Sequence, residues 1–327
     1  VSANPSDAKL EYSINGGTYS ATMPTITNVS SFTVTVRASK AGYKTQSTTQ
    51  TVKVNKANGN LTLSSYSGIL TYPNSGTFSV SGNTGNLSVS SSNTNVVTVS
   101  LSGNTVTIIP KTREGSATIT VKSAASANYT EKSVTYNVTV QLPYFTASSG
   151  VGYYADVDGN GTVDGVIFED FKVGGSGSWG NRNGTYTIPT VSGTKEYYIS
   201  KTNYSGPFGT KDVLSAKGSG NNRFYVMALS DVGNDTYSWS EGKGLESNGW
   251  IMPERNEWAA FLGNLKISES NYKSCGLKGE YWSSTKADDS FVWTAQFTTV
   301  ENYNGYFVKT LYKYDYYRRS VRFCKKF

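Results

Sequence analysis

The chain has 327 residues, of which 16% are charged and 37% hydrophobic, with 33 glycines, 24 tyrosines and a net charge of +7. A single hydrophobic core stops growing near roughly 250–300 residues, so two or three domains are expected, and the Ser/Thr/Gly/Tyr-rich, charge-poor composition points to β-structure rather than a helical enzyme. The chain has no histidine, which excludes Ser-His-Asp and Cys-His chemistry and removes the commonest zinc ligand.

Residues 1–56 read as alternating strands: KLEYSI, the turn Asn15-Gly16-Gly17, ATMPTI, SFTVTVRAS and TTQTVKVN. Period-two runs of Val, Thr and Ile between Gly/Asn/Ser clusters are the signature of a β-sandwich. The stretch is short for one, so a first strand is expected to be missing. Residue 1 is Val, which reads as a processed or cut N-terminus. Lys56-Ala57-Asn58-Gly59-Asn60 looks like a linker. A second module over 57–142 repeats the pattern with LTLSSYS, GTFSVSG, LSVSSSN, VVTVSLSGNTVTIIP, SATITVKSAA and VTYNVTVQ, and the Ser-Gly-Asn turn at 102–104 is a hairpin signal.

Composition changes at Leu142-Pro143, after which come all six tryptophans and both cysteines, so 143–327 reads as a separate domain. Asp156, Asp158, Asn160, Thr162 and Asp164 place oxygens at every second position around Gly161, which matches the front of a calcium loop. The twelfth position is Ile167 instead of a carboxylate, and Glu169 and Asp170 come late. Calcium is therefore set against a hydrated Asp/Asn/Gly turn, and a melting temperature that rises with Ca²⁺ distinguishes the two.

Further on, Trp250 and Ile251 form a strand that meets Pro253, followed by a helix whose Trp258, Phe261, Leu262 and Leu265 fall on one stripe. Cys275 and Cys324 lack C-x-x-C spacing, which leaves one disulfide or two unpaired thiols open. The tail from Glu280 alternates apolar Trp282, Trp293, Phe297, Val321 and Phe323 with crowded Tyr, Asn, Asp, Ser and Thr. That mixture is typical of recognition surfaces, because tyrosine gives large amphipathic contact area with few rotors. The terminal cations Lys309, Lys313, Arg318, Arg319, Arg322, Lys325 and Lys326 read as the wet face of a strand. No nucleic-acid motif accompanies them, so no nucleic-acid partner is expected. No window is apolar enough to span a bilayer.

Two resemblances add to these readings. SSNTNVVTVS, GNTVTIIPK and GSATITVKSAAS followed by NVTV resemble bacterial immunoglobulin-like repeats of the invasin type, and the first module looks like a related repeat. Such repeats serve as stalks. GWIMPERNEWAAFL, GEYWSST, the VW at 292–293 and SVRF at 320–323 resemble C-type-lectin-like domains of Bacteroidetes surface proteins and phages. Within that fold, the mixture between Thr285 and Ser320 resembles the variable proteins of diversity-generating retroelements, in which adenine mutagenesis of asparagine codons scatters side chains over a fixed frame.

The fold class implied is mainly β, two Ig-like sandwiches followed by an α+β C-type-lectin-like domain. The resemblance implies a ligand-binding face of Lys286, Asp288, Asp289, Ser290, Gln296, Thr298, Glu301, Asn302, Tyr303, Tyr306, Tyr312, Tyr314, Tyr316 and Tyr317. The expected protein is a receptor or adhesin, extracellular, on a cell surface or a phage particle, that binds a cell-surface protein or glycan and needs no cofactor beyond the calcium weighed above. Formylglycine-generating enzymes share the fold and work through reactive cysteines and copper, but Cys275 and Cys324 do not cluster as such a site requires, so no enzyme is expected. The alternative is a structural or pilus-like assembly subunit that polymerises by strand exchange.

Overall fold

The computed structural model describes residues 1–179, 184–297 and 316–327, and the backbone of 307–312. The protein is mainly β, built from several sheets, and divides into two compact units, Val1–Gln141 and Leu142–Phe327. Among the described residues no helix is long and apolar enough to cross a membrane.

In the first unit β1 (Lys9–Ile14), β2 (Ser31–Ser39) and β3 (Gln46–Lys53) form an antiparallel sheet in that order. The register sets Glu11 opposite Arg37, and the two side chains pair at 2.7 Å. Asn15 and Gly16 turn the chain with φ of 48° and 75°, a left-handed backbone that these two residue types tolerate. The expected strand ATMPTI does not form. Ser20 makes one bridge to Tyr12, and Pro24, lacking an N–H, cannot continue a ladder. Of this sheet's side chains Val34 and Ser13 are buried, whereas all of β3 is exposed.

Eight more strands complete the unit: β4 (Thr62–Leu63), β5 (Ser67–Thr71), β6 (Gly76–Ser81), β7 (Leu87–Ser91), β8 (Val97–Ser102), β9 (Thr105–Pro110), β10 (Gly115–Ser123) and β11 (Lys132–Gln141). They make two four-stranded sheets, β5-β11-β10-β7 and β4-β6-β9-β8. Alternation decides what is inside: Ala117, Ile119 and Val121 of β10 and Val106 and Ile108 of β9 share a core with Phe78, which stacks on Tyr136 at 4.5 Å. Gly68 makes room for that ring, since a Cβ at that position would meet the Tyr136 phenol oxygen at 2.2 Å and force the side chain to shift.

The second unit contains β12 (Tyr154–Asp156), β13 (Gly165–Asp170), β14 (Gly175–Ser178), β15 (Thr185–Ile188), β16 (Glu196–Gly206), β17 (Gly209–Lys217), β18 (Phe224–Ala228), α1 (Trp239–Gly244), α2 (Arg255–Asn264), β19 (Glu280–Lys286), β20 (Phe291–Gln296), β21 (Phe307–Tyr312) and β22 (Cys324–Lys326). Its main sheet runs β16-β17-β12-β13-β18-β22, and β14-β15 and β19-β20-β21 form two smaller ones. Central β13 is buried throughout. Val166 and Phe168 face one cluster, which includes α2, and Ile167 faces another with Leu214, Phe224 and Phe327.

Helix α2 follows Pro253, and the Glu254 N–H donates to Glu257 Oε2 at 2.5 Å to close its first turn. Trp258, Phe261 and Leu262 are fully buried as the stripe requires, but so are Ala259 and Ala260. The helix is enclosed more widely than a one-faced stripe, because it packs on β13–β15 and on β19–β21. Leu265 lies just beyond it as the C-cap. Helix α1 has no counterpart among the elements expected from sequence: Trp-Ser-Glu-Gly-Lys-Gly carries two glycines and has low helix propensity. Its capping box holds it, with the Glu241 N–H donating to Ser238 Oγ at 3.3 Å and the Ser238 N–H to Glu241 Oε2 at 2.8 Å.

Candidate functional site

A buried frame stands behind the tail. Trp258 and Trp282 are both fully enclosed. Three indoles give their N–H to main-chain carbonyls: Trp258 to Trp282 O at 3.0 Å, Trp282 to Tyr237 O at 2.7 Å and Trp239 to Ser283 O at 2.9 Å. These bonds meet the rule that a buried indole must place its donor, and they tie α2, α1 and β19 together. Phe297 is also fully buried and stacks on Tyr272 at 5.2 Å. Trp293 is half-buried, 5.7 Å from Trp179, with the Arg255 guanidinium over both rings.

Several expected face residues gather at the β19–β20 turn. Lys286 ends β19 exposed, its ammonium 5.6 Å from the Trp239 ring. Asp288 Oδ1 accepts the N–H of Ser290 at 2.7 Å and of Phe291 at 2.8 Å, closing the turn from within. Asp289 and Ser290 are exposed. Tyr312 pairs with Phe291 in the ladder, which brings its backbone to the same end of the sheet. Tyr316 is 72% exposed and lies 4.5 Å from the Tyr317 ring. Tyr317 is half-buried and packs, as Trp239 does, on the cluster of Met252, Trp282, Val292 and Val321.

Gln296 stands at the other end of β20, roughly 17 Å from Phe291 at about 3.4 Å per residue. It is half-buried, and its Oε1 has no partner among the described residues. Thr298, Glu301, Asn302, Tyr303, Tyr306 and Tyr314 lie outside the described residues.

The wet-face reading of the terminal cations fails at Arg319 and Arg322. Arg322 is 1% exposed, donates from Nε to Asp231 Oδ1 at 2.7 Å and from Nη2 to Gly276 O at 2.5 Å, and shares Asp231 with the Tyr281 hydroxyl at 2.9 Å. Arg319 pairs with Glu280. The cause is topological: residues 319 and 320 bridge to Tyr237 and Tyr281, and the strand proper is Cys324–Lys326, so SVRF runs through the interior. Both cysteines are buried and unbonded. Burial raises each thiol, most strongly that of Cys324.

The acidic loop brings its three aspartates together, with Asn160 beside them, its Nδ2–H donating to Asp158 Oδ2 at 2.8 Å. Carboxylate oxygens of Asp156, Asp158 and Asp164 lie within 4.8 Å of one another. Asp156 accepts the N–H of Asn160 at 3.1 Å and of Gly161 at 2.9 Å, and Asp164 accepts that of Val157 at 2.7 Å. Burial raises the pKa of Asp156 and of Asp164. Asn160 Oδ1 accepts the Thr162 N–H at 2.7 Å, and the Thr162 backbone is thereby held in the turn. The back of a calcium loop is missing, since Ile167 is core and Asp170 is committed to Arg223 at 2.7 Å. Calcium bound by the three carboxylates raises the melting temperature with increasing concentration; a melting temperature that ignores millimolar Ca²⁺ leaves the loop a hydrogen-bonded turn.

A second acidic feature is internal. The register puts Glu169, Tyr225 and Lys326 in one cross-strand row. Burial pushes Glu169 up to about 8, helped by the Glu257 carboxylate and opposed by Lys326. Burial likewise pushes Glu257 up to about 7, opposed by the Glu254 N–H and helped by the Glu254 charge. A folded pKa above the ordinary 4.5 means that Glu169 is best tolerated neutral. Its contribution is complete below about pH 4.5 and is lost as pH rises through about 8. Glu169→Gln is therefore expected to flatten the pH dependence of unfolding across that window. Above the window it is expected to exceed the parent by a few kcal/mol, at roughly 1.4 kcal/mol for each tenfold change in proton affinity. Urea unfolding on both sides of the window measures this, and parallel profiles for the two proteins contradict it.

A cleft of about 560 Å³, lined by Asp235, Thr236, Tyr237, Glu241, Leu245 and Arg318, has no counterpart among the sites expected from sequence. The Ser238-x-x-Glu241 capping box marks its helix, but nothing in linear order joins residues 235–245 to Arg318.

No family model matches this chain, and no curated protein matches it. Among solved structures the chain is similar to domains 4 and 5 of the S-layer protein SbsC, at 29% identity over 40% of this chain and 76% of that one, with a TM-score of 0.24. It is similar to SbsC domains 1–6 at 24% identity, covering 55% of this chain and 28% of that one, with a TM-score of 0.26. It is also similar to invasin, a bacterial integrin-binding protein, at 14% identity over 98% and 72% of the two chains, with a TM-score of 0.21. At TM-scores of 0.21 to 0.26 these likenesses fix neither the architecture nor the activity of this chain.

Proposed function

We propose that this chain is a ligand-binding protein and not an enzyme: a C-type-lectin-like domain of the diversity-generating-retroelement type in Leu142–Phe327, carried on Ig-like modules as a stalk and displayed outside the cell or on a phage particle. Its partner is a cell-surface protein or glycan. The observation that carries the reading is the contrast between enclosed Trp258 and Trp282 and the exposed turn Lys286–Ser290 and Tyr316, which reach the Trp282 cluster through Trp239 and Tyr317. A surface built this way keeps its shape while its outer side chains change. Rigid aromatics such as Tyr316 serve as anchors, and Asp289 and Ser290 as adjustable polar contacts.

The test is binding of the labelled full chain to arrays of oligosaccharides and of cell-surface protein ectodomains. Lys286→Ala combined with Tyr316→Ala is expected to weaken the array signal by about tenfold or more, the effect of losing a hot spot, while the melting temperature stays within a few degrees. A parent chain that binds nothing on either array, or a double variant that binds as well as the parent, overturns the reading.

A further inference from the structure

We propose that the cleft between α1, the 235–237 segment and Arg318 binds a neutral polyhydroxylated ligand, a hexose unit of a glycan. The inference rests on the binding reading above and gives that face a defined pocket. Its volume of about 560 Å³ falls within the roughly 300–1,000 Å³ of small-molecule sites.

The walls are polar and largely fixed before any ligand arrives. Arg318 donates from Nε and Nη2 to Thr236 O at 3.0 and 2.7 Å and reaches Glu241 Oε2 at 3.0 Å. The Ser238 N–H takes that same oxygen at 2.8 Å. Arg318 Nη1 and the second Glu241 oxygen stand outside these bonds. Asp235 is exposed, and its carboxylate has no partner among the described residues. A guanidinium held by three contacts loses little freedom on binding, which lowers the entropic cost of recognition.

Charge selects the ligand class. A cation entering here meets Arg318, and an anion meets Asp235 and Glu241. A neutral ligand with adjacent hydroxyls satisfies both signs, donating to the carboxylates and accepting from the guanidinium. The remaining lining is apolar: Leu245 is 41% exposed, and the Tyr237 ring borders it. That suits the C–H face of a pyranose ring. Two residues before Arg318, the exposed Tyr316 offers a second aromatic surface for the next sugar of a chain.

Calorimetric titration of the full chain with cellohexaose, mannohexaose and chitohexaose, and with spermine and inositol hexakisphosphate as charged controls, tests the inference. At least one neutral hexasaccharide is expected to bind with a Kd below about 1 mM. Asp235→Asn and, independently, Leu245→Trp, which fills the cleft, are each expected to weaken it by about tenfold or more without lowering the melting temperature. Failure of all three hexasaccharides, preference for a charged control, or undiminished binding in both cleft variants overturns the inference. When the cleft variants keep full array binding but Lys286→Ala with Tyr316→Ala loses it, the cleft inference falls and the binding face stands. When no array ligand binds the parent, both fall.

Discussion

Asp170→Ala is expected to lower the unfolding free energy of the second unit by about 3–5 kcal/mol, the usual cost of leaving a buried charge without its partner. The pair is enclosed, with side chains 6% exposed for Arg223 and 1% for Asp170. Arg223 Nε and Nη2 meet the two carboxylate oxygens at 2.8 and 2.7 Å. The Gly150 N–H at 2.9 Å and the Lys172 N–H at 3.1 Å complete the anion's shell. Truncating Asp170 thus leaves the guanidinium only its longer contacts to Ala147 O at 3.3 Å and Ser148 O at 3.5 Å, with its charge uncompensated, and strands two main-chain donors. Asp170→Ala combined with Arg223→Met, which removes both charges, is expected to be less destabilised than Asp170→Ala alone. Urea denaturation monitored by tryptophan fluorescence reports both, and a loss below about 1 kcal/mol for Asp170→Ala would mean that Arg223 finds water or another acceptor.

Trp282→Ala is expected to cost a similar amount, about 3–5 kcal/mol, for a different reason: removal of a fully buried indole leaves a cavity that its neighbours fill only in part. The ring packs among Met252, Val292, Val321 and Phe323, and Trp239 and Tyr317 pack onto the same cluster. Its loss therefore loosens the support of the Lys286–Ser290 turn, through Trp239, as well as the core. Trp282→Phe restores most of the volume and gives up the 2.7 Å indole bond, but Tyr237 O still accepts the Arg319 N–H at 2.9 Å, so the loss is smaller, about 0.5–1.5 kcal/mol. Thermal unfolding separates the two, since each kcal/mol moves the melting temperature of a unit this size by roughly 2–4 °C. Equal losses for Ala and Phe would place the whole contribution in the hydrogen bond.

Local periodicity makes much of this legible. The alternation in SATITVKSAA and GNTVTIIP gives β10 and β9 with the expected sides buried, and the stripe of Trp258, Phe261 and Leu262 gives α2. ATMPTI fails because Pro24 removes a ladder donor, and the alternation breaks there too, since Ile26 is out of phase with Ala21 and Met23. Arg322 reads as solvated because a strand pattern carries no trace of Asp231, ninety-one positions earlier, which neutralises it indoors. The acidic loop shows the same limit. Its front half is visible as spacing, but the commitment of Asp170 to Arg223 depends on β18 lying beside β13. The cleft beside α1 is invisible in the sequence for the same reason.

An enclosed aromatic frame and an exposed recognition face, on this reading, are energetically separate parts of one unit. Melting temperature and array binding measured together on Lys286→Ala with Tyr316→Ala test that separation most directly. The expected result is a melting temperature within a few degrees of the parent and an array signal reduced by about tenfold or more. A melting temperature that collapses while binding persists would contradict it, because those side chains would then belong to the frame.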